Sequence, residues 1–287
     1  MTELRHRTGG PPRPLVAPPS GVPAGWYPDP FGAPADRYYD GHQWTDHVRG
    51  HFRPVERSAP ATLDIRAAIG AAVVLLVSLL TSRYAIDWLV RYEWPIAIYT
   101  GIAVVLGYGP SVAWCAIAVR RWGTGRFCED TGLRVRWADL GWGPVVWIAA
   151  ISAQFASIIV IEAFGIPLRS NTEGLSDFGR DRTYVISILV AAVVAAPIVE
   201  ELVFRGVMLR GLCSRMTAAL AVAVQGVVFG LAHVDPVRGR GNIGLALMLA
   251  AVGTVFGGAA YLLRRIGPTM IAHAILNAVV LAVVLLN

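Results

Sequence analysis

From residue 64 onward the sequence is a succession of apolar runs separated by short polar segments. Seven runs are each about long enough to cross a bilayer as an α-helix, which takes roughly 20 residues. They lie near residues 65–81, 95–119, 143–165, 184–204, 216–233, 243–263 and 268–286. Backbone polar groups must be satisfied internally in lipid, and runs of this length do so as helices. The sequence therefore predicts an all-α membrane protein, a bundle of about seven transmembrane helices.

The composition agrees with this class. Hydrophobic residues make up 55% of the 287 residues and charged residues only 15%, a balance outside that of soluble domains. The formal net charge is +6, but the arginines stand mainly between the apolar runs, where membrane topology explains them better than RNA or DNA does. We expect the lipid bilayer as a partner and no nucleic acid.

The distribution of arginine predicts an orientation. Roughly twice as many arginines flank the runs on one side as on the other, counted from an N-terminus on the inside. The first 63 residues contain no apolar stretch long enough for a secretory signal. We therefore expect a multi-pass protein of the cell membrane with a cytoplasmic N-terminus and an external C-terminus.

The part before the first run has three segments. Residues 1–22 are rich in Pro, Gly and Arg, which predicts a disordered lead, and residues 50–63 are predicted to form a linker. Between them, residues 23–49 carry GWYPDP and RYYDGHQWTDHV, with Asp40-Gly41 placed as a turn between two aromatic-rich runs. We predict a small β-hairpin-like module there.

This module resembles a short domain of unknown function found at the N-termini of bacterial membrane proteins. Its markers are GWYPDP and a later YDG followed by WT, and the resemblance brings no activity with it. Two interpretations stay open. Either Trp26, Tyr39 and Trp44 merely form a miniature core, or the module binds a partner.

Ionisable side chains inside a bilayer are costly and rare unless function or a partner retains them. Three clusters in the apolar C-terminal half contain such residues. They are Glu200-Glu201-x-x-x-Arg205, Phe229-x-x-x-His233 and His273-x-x-x-Asn277. We take these seven residues as the candidate site.

Helix geometry separates the two glutamates. Glu201 and Arg205 are four residues apart and share a face, whereas Glu200 is turned about 100° away. We infer that Arg205 neutralises Glu201 and leaves Glu200 free for chemistry. The same spacing puts His273 and Asn277 on one face, where both can reach one pocket.

These side chains supply the parts for hydrolysis without a serine or cysteine nucleophile. Glu200 and His233 can polarise and deprotonate a water, while His273 and Asn277 can donate hydrogen bonds to the oxyanion on the scissile carbonyl. Alternatively, Glu200 and the two histidines can hold a divalent metal such as zinc, with Glu201 as base. The sequence leaves open whether the cofactor is none or a metal.

The three clusters resemble the motifs EExxxR, FxxxH and Hxxx(N or B) of the CAAX-processing and bacteriocin-processing (CPBP, Abi-like) family of intramembrane proteases. The resemblance spans residues 184–280. It implies a peptidase whose catalytic set is Glu200, His233, His273 and Asn277, acting on a membrane-associated peptide or protein substrate. Lipidation of that substrate is left open, as is the family's metalloprotease label. The motifs of rhomboid-type, presenilin-type and site-2-type proteases are absent.

We accordingly divide the membrane part into N-terminal transmembrane helices at 64–182 and a catalytic core at 183–287. Glu201, Arg205 and Phe229 are expected to support the site structurally. The rival interpretation is a non-catalytic scaffold or transporter that holds a buried polar network; a transporter favours paired internal repeats, which the sequence lacks.

The depths of the motifs do not match on straight helices. With a rise of 1.5 Å per residue, Glu200 lies about 21 Å above the inner turn and His273 about 9 Å, while His233 reaches about 28 Å. We therefore expect that the helix before His233 tilts or starts deeper, or that residues 235–242 dip inward. An inward dip requires a polar cavity, which we predict.

Overall fold

The computed structural model describes residues 21–31, 35–50, 63–169, 172, 181–234 and 242–286. Residues 1–20 of the predicted lead, most of the predicted linker and residues 235–241 of the predicted inward dip lie outside these ranges. The chain divides into two compact units, Met1–Ser58 and Ala59–Asn287.

The N-terminal unit contains a three-stranded antiparallel sheet with the order β1-β2-β3. Its strands are β1 (Gly25–Pro28), β2 (Ala35–Tyr39) and β3 (Trp44–Gly50). The Asp40 carboxylate accepts hydrogen bonds from the backbone N–H groups of His42 and Gln43, at 2.8 and 2.7 Å. These bonds close the turn and hold the pKa of Asp40 below its ordinary value. The predicted turn at Asp40-Gly41 is confirmed, and β1 adds a third strand to the predicted hairpin.

The aromatic residues of this sheet divide between its two faces, because side chains alternate along a strand. Tyr39 is 4% exposed and its ring lies 5.2 Å from that of Trp44. Trp26 instead pairs with Tyr38 on the other face, is 38% exposed and lies under the Arg49 guanidinium. Of the two open interpretations, the miniature core holds for Tyr39 and Trp44 but not for Trp26.

The second unit is helical. Its helices are α1 (Ile65–Leu89), α2 (Ile96–Trp122), α3 (Phe127–Thr131), α4 (Asp139–Ala163), α5 (Arg182–Leu212), α6 (Ala218–Leu231), α7 (Ile243–Leu263) and α8 (Gly267–Leu286). Six of them are long and apolar enough to cross a membrane. The predicted all-α, multi-pass membrane protein is confirmed.

The run predicted near 216–233 differs from the other six. It forms α6, a helix of 14 residues, which extends about 21 Å and is shorter than a bilayer's apolar core of roughly 30 Å. Counting apolar residues overestimates the length of this helix, because Ala232 and His233 follow its end with turn geometry.

Helix α5 contains two wider, π-helical stretches. Val190–Ala195 and Leu202–Met208 flank the α-helical segment Ala196–Glu201. Pro197 lies in that segment and has no N–H to donate, which removes one backbone hydrogen bond from the helix. Such π-helical turns are frequent at functional sites, and here they lie on both sides of Glu200.

Two loops of the helical unit meet at one end of the bundle. Arg265, after α7, donates to the buried Asp139 at the start of α4, with N–O distances of 2.6 and 2.8 Å. The backbone N–H of Ile266 donates to the carbonyl of Gly132, which follows α3. This is the end that the arginine count assigns to the cytoplasm, and that orientation stays a prediction.

Candidate active site

Glu200 lies where α5 faces α2, α6 and α8. Its Oε1 accepts a 2.8 Å hydrogen bond from the hydroxyl of Tyr108 on α2. Its Oε2 is buried without a hydrogen-bond partner in the described part of the chain. The nearest imidazole nitrogens to Oε2 are Nε2 of His233 at 3.7 Å and Nε2 of His273 at 3.9 Å. One carboxylate oxygen is thus held, and the other faces two histidines.

The hydrogen bonds of the two histidines assign their tautomers. Nδ1 of His233 lies 2.7 Å from the carbonyl oxygen of Phe229, an acceptor only, so this nitrogen carries the proton. Nδ1 of His273 lies 3.0 Å from Oε1 of Glu201, which is ionised in its pair with Arg205. Each neutral imidazole therefore presents an unprotonated Nε2 to Glu200.

Glu201 forms the predicted ion pair with Arg205. Nη1 of Arg205 lies 2.9 Å from Oε1 of Glu201, and both side chains are fully buried. Nη2 of Arg205 donates to the carbonyl of Gly253 on α7 at 3.2 Å. The pair therefore joins α5 to α7 and, through His273, to α8.

Three phenylalanine rings surround the Arg205 guanidinium. The ring centroids of Phe229, Phe256 and Phe204 lie 4.4, 5.3 and 5.7 Å from its central carbon. A cation over an aromatic face is stabilised when it is removed from water. This gives a physical role to Phe229 in the second motif, because its ring also contacts those of His233 and His273.

Asn277 lies one helical turn beyond His273 on α8. Its Nδ2 donates to the carbonyl of Ala192 at 2.7 Å, within the first π-helical stretch of α5. One N–H of the amide is used in this bond and the second remains. Asn277 therefore braces α8 against α5 beside the histidines, and no direct contact between Asn277 and Glu200 is found in the described ranges.

A cavity lies where the candidate residues meet, but most of its lining is apolar. The predicted cavity was polar and was tied to an inward dip of residues 235–242, of which 235–241 lie outside the described residues. The cavity found has a volume of about 830 Å³ and is lined by Glu200, His233, His273, Asn277 and Tyr108, together with many apolar side chains. Its remaining walls come from α1, α2, α4, α5, α7 and α8, and its lining extends to Arg83 and Arg169. The four residues expected to be catalytic thus share one hollow of the size of a ligand pocket.

His233 reaches the site from just beyond the end of α6. Helices α6 and α7 approach closely at Gly226 and Gly230, where an added Cβ would collide with the backbone of Ala250 and Ala246 respectively. At Gly253 of α7, an added Cβ would lie 3.0 Å from the ring of Phe229. These glycines allow the packing that places His233, so the depth mismatch of straight helices does not keep it from Glu200.

The separations at Oε2 of Glu200 are wider than those between the ligand atoms of a zinc site. Ligand atoms around a tetrahedral zinc stand roughly 3.4 Å apart, whereas Oε2 of Glu200 lies 3.7 and 3.9 Å from the two Nε2 atoms. In the ranges that the structure describes, no group of three or more His, Cys, Asp or Glu side chains is arranged to hold a metal.

The sequence analysis missed two residues of the site. Tyr108 is 92 positions away from Glu200, and Phe256 packs its ring 5.6 Å from that of His273 as well as over Arg205. The one signal for Tyr108 was a hydroxyl-bearing residue in an apolar run, between Gly107 and Gly109. Phe256 gave no signal, because a phenylalanine is ordinary in such a run.

The C-terminal part of the chain matches a family model. Residues 182–279 match the family described as Type II CAAX prenyl endopeptidase Rce1-like. This range contains all three motifs, and the resemblance stated from them is confirmed. Residues 24–61 match DUF2510, described as a protein of unknown function, which confirms the second resemblance.

One curated protein is similar over a longer segment. The Bacillus subtilis (strain 168) protein named "Putative membrane peptidase YdiL" is 28% identical over 153 residues. The match covers 53% of this chain and 57% of the relative, so the chain spans little more than half of that protein. No solved structure matches the chain significantly.

Proposed function

We propose, from the match of residues 182–279 to the Rce1-like endopeptidases, that the chain is an intramembrane endopeptidase. It hydrolyses a peptide bond of a membrane-associated protein or peptide with a water activated by Glu200 and His233. The observation that carries this proposal concerns Oε2 of Glu200, which has no hydrogen-bond partner among the described residues and faces two imidazoles inside a large cavity.

The hydrogen-bond pattern supports a division of labour between Glu200 and His233. A water between them donates one hydrogen to Oε2 of Glu200 and the other to the unprotonated Nε2 of His233. Glu200 takes the proton as the water oxygen attacks the carbonyl carbon. It then gives that proton to the leaving amine nitrogen, so that the carboxylate is regenerated.

The oxyanion is stabilised from α8. His273 donates through Nε2 when that nitrogen also carries a proton, because Nδ1 already donates to the Glu201 carboxylate at 3.0 Å. Asn277 has a second N–H for the same oxygen, since its first is bonded to Ala192. Two donors aimed at the developing charge are the usual means of lowering the barrier of acyl transfer.

The apolar side chains that line the cavity favour a substrate with apolar residues. Leu79, Ile86, Leu245 and Leu281 are among the apolar side chains that line the hollow beyond the polar cluster. A peptide segment with apolar residues beside the scissile bond would bury them there, and a lipid attached to the substrate would pack against the same walls. Test substrates should therefore include lipidated and unlipidated forms.

For the location we propose the cell membrane, with the N-terminus in the cytoplasm. The support is the arginine excess around the loops that meet at Asp139 and Arg265. Reporter fusions active on only one side of the membrane, placed after residue 60 and after residue 215, test this proposal. Both are expected on the cytoplasmic side, and an external signal from either would overturn it.

A search for accumulated and lost peptides identifies the substrate. Cells that express the chain are compared with cells that express Glu200→Gln, by mass spectrometry of membrane and secreted fractions. We expect fragments present only with the unchanged chain, cut next to apolar residues. A scaffold or transporter would give identical peptide profiles in both strains.

A further inference from the structure

The hydroxyl of Tyr108 makes the hydrogen bond to Glu200 across the interface between α2 and α5. Its oxygen lies 2.8 Å from Oε1 of Glu200, whereas both histidine contacts to Glu200 exceed hydrogen-bond length. Among the described residues, the hydroxyl of Tyr108 is the group found to form a hydrogen bond with the Glu200 carboxylate. Tyr108 belongs to no motif and lies outside residues 182–279.

We infer that Tyr108 is a positioning residue for the general base Glu200, an inference that rests on the proposed function. The bond to Oε1 fixes the rotation of the carboxylate, so that Oε2 is the oxygen left facing His233 and His273. Without it, the carboxylate could turn and offer either oxygen in several directions. A bond to a charged acceptor is among the stronger ones in proteins.

The surroundings of Tyr108 indicate a constrained position. It lies in the segment Gly107-Tyr108-Gly109-Pro110 of α2, and Pro110 cannot donate the backbone hydrogen bond that would close this turn. Gly107 is buried against α1, with Ser82 Oγ at 3.9 Å from an added Cβ. Tyr108 itself also lines the cavity.

One consequence is that the matched segment 182–279 is incomplete by itself. Its base is held by a side chain of α2, a helix that the family match does not include. We expect catalytic efficiency to depend on α2 even though its residues carry none of the three motifs.

The test compares Tyr108→Phe with Tyr99→Phe. Tyr99 is also on α2, and its hydroxyl also takes part in hydrogen bonds, with Trp94 and Leu89, but it does not line the cavity. In nanodiscs, Tyr108→Phe is expected to lower kcat roughly 10- to 100-fold and to leave KM within about 3-fold. Tyr99→Phe is expected to keep both values. Equal kcat for both variants would overturn the inference.

A second measurement needs no turnover and separates this inference from the proposed function. A fluorinated tyrosine is incorporated at position 108 alone, and its ¹⁹F resonance is recorded with Glu200 present and in Glu200→Ala, which removes the acceptor of the bond. We expect the resonance to shift when the carboxylate is removed, and a probe at position 99 to stay unchanged. An unchanged resonance at 108 would refute the contact, whatever the activity of the chain.

A fluorotyrosine also tests whether Tyr108 acts through its hydroxyl or only through the space that its ring fills. Fluorination makes the phenol a stronger donor with nearly the same volume, so kcat is expected to change at position 108 and to stay constant at position 99. If substitution by Phe lowers kcat but fluorination changes nothing, Tyr108 only fills space. If the unchanged chain cleaves and Glu200→Gln does not, the proposed function stands in either case.

Discussion

Oε1 of Glu201 lies 3.0 Å from Nδ1 of His273, and the same oxygen accepts the hydrogen bond of Arg205 at 2.9 Å. Glu201 therefore does more than neutralise Arg205, because it also sets which nitrogen of His273 carries the proton. Glu201 thus orients the imidazole of His273 and the guanidinium of Arg205, whereas Glu200 faces the cavity.

Replacing Glu201 tests this network. Glu201→Gln leaves the buried Arg205 without its counter-ion, which should cost about 3–5 kcal/mol of unfolding free energy. The measurement is thermal or denaturant unfolding in detergent. The control is Glu129→Gln, since the Arg126–Glu129 pair is exposed and is worth at most about 1 kcal/mol. Equal losses in the two variants would contradict the account.

The phenylalanines around Arg205 give a second prediction. Phe256→Leu removes an aromatic face from the guanidinium and should lower stability by about 1–2 kcal/mol. Because the ring also contacts His273, kcat should fall as well. Phe155→Leu on α4 is the control, since that ring is 62% exposed. Similar unfolding midpoints for both variants would show that the phenylalanine rings around Arg205 contribute little to stability.

The close approach of α6 and α7 gives a third prediction. In Gly230→Ala the new methyl group meets the carbonyl of Ala246, so the helices must separate, at a cost of about 1–3 kcal/mol. His233 is three residues away and should move from Glu200, which lowers kcat. Gly258→Ala on α7 is the matched control, because no atom lies within 4 Å of its added Cβ. Full activity in Gly230→Ala would refute the role of this contact.

Removal of metal ions by a chelator gives a fourth prediction. Because the separations around Oε2 of Glu200 exceed those of a zinc site, cleavage should be unaffected by a strong chelator. The assay measures the initial rate before and after treatment with 1,10-phenanthroline. Loss of activity that added zinc restores would contradict the water mechanism and favour the alternative that the sequence left open.

The sequence was sufficient for the class of the protein and for its resemblance to the family that residues 182–279 match. Apolar runs report helices directly, and Glu200, His233 and His273 stand out because charge is rare in lipid. The catalytic roles of these residues and of Asn277 stay predictions.

Other features depended on tertiary packing. The contact between Tyr108 and Glu200 joins two helices with no fixed spacing in sequence, so no periodicity reveals it. The end of α6 before His233 and the outward face of Trp26 likewise follow from packing and pairing register, which hydropathy does not encode.

The central claim is that Glu200 activates the water, and the turnover of Glu200→Gln tests it most directly. Gln keeps the size of the side chain and can accept the Tyr108 bond, but it cannot take a proton. In nanodiscs, with an identified substrate, kcat is expected to fall at least about 100-fold while the unfolding midpoint stays unchanged. A correctly folded Glu200→Gln variant that cleaves within about 3-fold of the unchanged chain would contradict the account.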